Sequence, residues 1–99
     1  MRLSEHSRKV IAQTALDIFG KNICIKLFGS RLDDDLAGGD IDLLIESGQV
    51  IEQARRKSLK LVAKLQIQLG DQPIDVLVID SKTNRQAIHL EAQRTGIKI

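Results

Sequence analysis

The chain has 99 residues, a net charge of +2, and a composition that is 42% hydrophobic and 28% charged, which is the balance of a folded globular domain rather than a disordered chain. Aromatic residues make up 2%, Phe19 and Phe28 alone, so the stacking platforms of a single-strand nucleic-acid reader are missing, and the charge is too small for nucleic-acid binding by bulk electrostatics. The length suits one domain, 1–99, with a modest core.

In chain order, Ser4 can cap a helix running to Phe19, with Gly20 as its stop and Ile11, Ala15, Ile18 and Phe19 on one buried face. Residues 23–28 read as a strand, with Ile23, Ile25 and Leu27 on one side. Gly29-Ser30-Arg31 follows at once, then a polar stretch to Gly39 with room for a short turn of helix after Ser30. A second strand is expected over Asp40 to Glu46, with Ile41, Leu43 and Ile45 toward the core.

A long helix is expected from about Val50 to Leu69, ended by Gly70, with Ile51, Ala54, Leu61, Val62, Leu65 and Leu69 on its apolar stripe. Pro73 can open a third strand, Ile74 to Ile79, and a last helix is expected from about Lys82 to Thr95. The order α-β-β-α-β-α predicts an α/β fold: a small mixed sheet flanked by helices.

The chemistry lies in three aspartates. Strand side chains alternate faces, so Asp40 and Asp42 share one side while Ile41 and Leu43 take the other. Two carboxylates so placed repel each other unless a cation sits between them, and magnesium, a hard ion that takes oxygen ligands and substrate phosphates, suits them. Asp75 interrupts an otherwise apolar strand, where an unpaired charge is costly. If its strand lies beside that of Asp40 and Asp42, the three carboxylates converge and can hold two ions about 3.5–4 Å apart. Asp80 is a weaker third ligand, with capping of the last helix as its simpler role. On the phosphate side, Gly29 permits close backbone approach, Ser30 offers a hydroxyl, and Arg31 a charge-assisted bond.

The set Gly29-Ser30-Arg31, Gly39-Asp40-Ile41-Asp42-Leu43-Leu44-Ile45 and Ile74-Asp75-Val76 resembles the minimal nucleotidyltransferases of the DNA polymerase beta superfamily. The similarity extends to the opening helix and to the closing segment from Ala87 to Gly96. It implies a polymerase beta-like palm, a triphosphate turn at Gly29 and Ser30, and a two-magnesium site on Asp40, Asp42 and Asp75. It also implies transfer of a nucleoside monophosphate, AMP from ATP, to a hydroxyl group. With no second domain to bind an acceptor, the resemblance points to the antitoxin-like group that works beside a HEPN-domain toxin protein, some members of which adenylylate their partner. The rival reading is a non-catalytic module that neutralises its partner by contact; transfer to a small molecule such as an aminoglycoside lacks a domain to hold it. The chain departs from the pattern in a short, acidic stretch after Ser30 and in Gly39, where many relatives carry serine.

Other signals have plainer readings. Asp33-Asp34-Asp35 reads as a solvated loop. His6 and His89 have no partner at metal-ligand spacing, and Cys24 packs as a small hydrophobe. Arg56, Lys60 and Lys64 form a basic stripe on the long helix: a solvated face, or a docking surface for an acidic partner. No run approaches the ~20 apolar residues of a membrane span. Charged residues break up the N-terminal segment, and a lone cysteine fits a reducing compartment, so a cytoplasmic location is expected.

Overall fold

A computed structural model describes residues 3–29 and 40–99. Helix α1, Glu5–Phe19, begins where the Ser4 hydroxyl accepts the Ser7 backbone N–H at 3.0 Å. It ends at Gly20, whose N–H returns to the Leu16 carbonyl and whose φ of 90° suits glycine. Strands β1, Cys24–Phe28, and β2, Ile41–Glu46, follow; α2 spans Ala54–Leu69, β3 Ile74–Ile79 and α3 Ala87–Thr95. A two-residue strand, β4, Ile97–Lys98, closes the order.

The sheet is mixed, ordered β3-β2-β1-β4. Strand β2 runs antiparallel to β1 and parallel to β3, while β4 runs antiparallel to β1. The parallel step requires a crossover, which α2 provides. Alternation sorts the strands into two faces. Ile25, Leu27, Ile41, Leu43, Ile45 and Ile74 pack with Ile11 and Ala15 of α1 and Leu61 and Leu65 of α2. The opposite face holds a smaller cluster, Leu44, Ile79 and Ala92 of α3, with Phe28 and Leu77 against it.

Two helix starts depart from the sequence reading, and one residue accounts for both. The Asp80 carboxylate accepts the Ile51 backbone N–H at 2.9 Å and the Lys82 N–H at 2.9 Å. The first bond holds 50–53 out of helix, and Gln53 turns left-handed at φ 54° before α2 starts at Ala54 rather than Val50. The second builds a turn that delays α3 to Ala87 instead of Lys82. Asp80 therefore ties two loops together rather than capping the last helix, and α3 is capped by reciprocal bonds between Gln86 and His89. Strand β4 went unanticipated; two residues carry no readable alternation, and pairing with β1 is what makes them a strand.

Among the described residues, no helix is long and apolar enough to cross a membrane. His6 is exposed, Cys24 is half-buried, and Arg56, Lys60 and Lys64 are all exposed.

Candidate active site on the carboxylate row

The register of the sheet lines its α3-side face with rows of side chains. Phe28, Asp42 and Asp75 form one row, since Phe28 pairs with Asp42 and Asp42 with Asp75. Lys26, Leu44 and Leu77 form the next, and Cys24, Glu46 and Ile79 the last. The first row is therefore an acidic pair set against Phe28, with the Leu44–Leu77 row behind it. The Ile41 N–H donates to the Pro73 carbonyl at 3.0 Å, which locks the two strands together at this end.

Asp42 is half-buried; Asp75 and Asp40 are exposed, the latter just ahead of β2. Burial pushes the Asp42 carboxyl above the ordinary aspartate range, and the charges of Asp75 and then Asp40 push it further the same way. Among the described residues, no Lys, Arg or His makes an ion pair with any of the three. The structure thus brings Asp42 and Asp75 together with Asp40 close enough to be felt. Among the described residues, however, no three acidic, histidine or cysteine side chains reach metal-enclosing spacing.

Gly29 belongs to the same site. Its φ is 80°, and a Cβ there would run into Oδ2 of Asp42, with Cγ only 3.1 Å away. Glycine at this position lets the backbone reach the carboxylate and leaves open the surface on which a phosphate could lie. Ser30 and Arg31, the rest of the expected phosphate cradle, lie outside the described residues, as do Asp33-Asp34-Asp35 and Gly39.

Two features escaped the sequence reading. A groove of about 340 Å³ runs from Asp75 and Val76 to Arg55, Leu59 and Val62 of α2. At the far end of the α3-side face, Glu46 accepts from the Gln93 amide at 2.9 Å and pairs with Lys26 at 3.0 Å. Burial raises that carboxyl, but the Gln93 bond, Lys26 and the charge of Arg85 outweigh it and hold Glu46 low. Alternation from Asp42 placed Glu46 on this face; its partners come from α3 and β1 and could not be read locally. A larger cavity, about 480 Å³, opens at that end beside Lys21, Glu46 and Arg85. Its lining includes none of the three aspartates.

No protein-family model matches the chain, and no curated protein matches it.

Proposed function

We propose that the chain is a magnesium-dependent nucleotidyltransferase with a polymerase beta-like palm, and that it works in the cytoplasm as the antitoxin partner of a HEPN-like protein. The observation that carries this reading is the pair Asp42 and Asp75, side by side in register, without a cationic side-chain partner among the described residues, and flanked by a glycine whose missing side chain leaves room for the Asp42 carboxylate. Carboxylates in this state are held together at the expense of their own repulsion, which a divalent cation removes. Asp40, Asp42 and Asp75 supply oxygen donors suited to two magnesium ions, and a small mixed sheet with helices packed against it is compatible with such a palm.

Magnesium bound there would polarise the α-phosphate of a nucleoside triphosphate and offset the charge of the leaving pyrophosphate. Gly29 with Ser30 would seat the β- and γ-phosphates, and Arg31 would pair with them. The acceptor hydroxyl oxygen forms the new bond to the α-phosphorus as the bridging bond to the β-phosphate breaks. Asp75, the exposed member of the pair, takes or orients the proton released.

Incubation with magnesium, ATP and the purified HEPN-like partner, read by intact mass, tests this. An adenylyl increment on the partner that a chelator abolishes is the expected result. Neutralisation of the partner with no added mass would instead support the contact-only module.

A further inference from the structure

Helix α2 carries Arg55, Arg56, Lys57, Lys60 and Lys64 and not one acidic residue. Three of these cations crowd its first turn, where the helix dipole presents positive charge and acidic residues are the stabilising choice. No acidic residue in the first turn and no side-chain cap relieves that end, because Gln53 enters left-handed and its side chain caps no N–H. A local arrangement this unfavourable is the kind that persists where a partner's negative charge completes it.

The same helix leaves apolar surface in water. Leu59 is 63% exposed and Ile67 84%, and exposed Ala63 lies between them at the four-residue spacing that places all three along one strip. Arg56, Lys60 and Lys64 repeat at the same spacing alongside. An apolar strip bordered by cations is complementary to an amphipathic helix whose apolar edge is bordered by Glu and Asp. The strip also has a direction: its Leu59 end opens into the groove that Arg55, Val62 and Asp75 line. Strand β3, which supplies Asp75, is an edge of the sheet, with no strand beyond it among the described residues.

We propose that the exposed face of α2 is a docking surface for an acidic amphipathic helix of a partner protein, and that the groove beside Leu59 carries the adjoining partner segment to Asp75. The proposal deepens the transferase reading by naming the surface that presents the acceptor, and only its second half rests on that reading.

The probe is a synthetic helical peptide with Leu at every third and fourth position and Glu on the flanks, titrated into the ¹⁵N-labelled full chain. Its control is the same peptide with Lys for Glu. Shift changes should concentrate on 54–69 and 74–76. Arg56→Glu with Lys60→Glu and Lys64→Glu should weaken binding at least tenfold, as should Leu59→Ser with Ile67→Ser. These residues are exposed, so the variants keep the parental fold, checked by their melting curves. Binding should fall as salt rises. Equal binding of both peptides, no binding, or shifts elsewhere on the molecule would each overturn the proposal. So would self-association of the free chain through α2, detected by sedimentation at rising concentration. Asp42→Asn should bind the peptide like the parent, and the triple charge reversal should keep the parental response to magnesium and ATP. Failure of the docking surface is thereby separated from failure of the transferase site.

Discussion

Asp42 and Asp75 are Cα partners across the parallel β2–β3 pair, so their side chains leave the same face of the sheet at the same level. With its pKa raised in the fold, the Asp42 carboxyl binds its proton more tightly there than in the unfolded chain. Protonation therefore favours folding below the ordinary value of 3.8, and that contribution is lost as pH rises through the higher folded value. At neutral pH the ionised group opposes the fold. Metal-free Asp42→Asn should accordingly melt slightly above the parent at pH 7, on the order of a degree or two. The gap should close in acid. Thermal melts from pH 3 to 7 read it directly, and an unchanged or lower midpoint at pH 7 would contradict the repulsion described here.

Magnesium with ATP should raise the parental midpoint more than either alone, because a ligand bound only to the folded state stabilises it by mass action. Asp42→Asn should lose most of that rise. A response to ATP that ignores magnesium would remove the metal from the proposal.

Gly29→Ala should do two kinds of damage. Its positive φ costs about 1–3 kcal/mol with a side chain present, and the new methyl displaces the Asp42 carboxylate. Gly20→Ala provides the comparison: φ there is 90°, but nothing lies within 4 Å of the added carbon. Both variants should melt lower than the parent; only Gly29→Ala should lose the magnesium–ATP response. A Gly29→Ala protein that keeps the full response would show that the carboxylate has room to move.

Removing Asp80 should loosen two loops at once. Its carboxyl is held below the usual range, chiefly by the Ile51 N–H, then by the Lys82 N–H and the Thr83 hydroxyl. A depressed folded value means stability that is present above the unfolded value of 3.8 and lost as pH falls through the folded one. Asp80→Ala should therefore melt below the parent at pH 7, with the difference shrinking toward pH 2. Hydrogen exchange should quicken at Ile51 and Lys82 first; a change confined to α3 would point to a different role.

Leu44→Ala removes a large part of the small cluster under α3, where Leu44, Ile79 and Ala92 are the buried members among the described residues. The cost should be about 2–5 kcal/mol, a large share of the 5–15 kcal/mol typical of a small domain. Exchange protection in α3 should fall before that in α1.

The elements that sequence revealed are those whose signals are periodic and local. Ile11 and Ala15, the run of Ile41, Leu43 and Ile45, and the stops at Gly20 and Gly70 each carry their own instruction, and the structure follows them. The shared face of Asp42 and Asp75 was equally legible, given parity and adjacent strands. What was not legible depends on distant partners. Asp80 reaches back to Ile51, and that bond decides where α2 begins; periodicity in 50–53 looked helical because Ile51 fits the stripe. Alternation puts Leu44 on the face opposite Leu43, and it is buried there because α3 returns to cover that face.

The parallel pairing of β2 and β3 has a consequence for how the molecule comes apart. Asp75 meets Asp42 only after the whole of 47–73, α2 included, has been wound between them. Contacts that close so long a stretch form slowly, whereas the β1–β2 pairing spans a shorter one. A cation shared by the two carboxylates would fasten the ends of that crossover. Its strongest effect would then fall on the lifetime of the folded chain, with loading and unloading setting how often α2 lets go of the sheet.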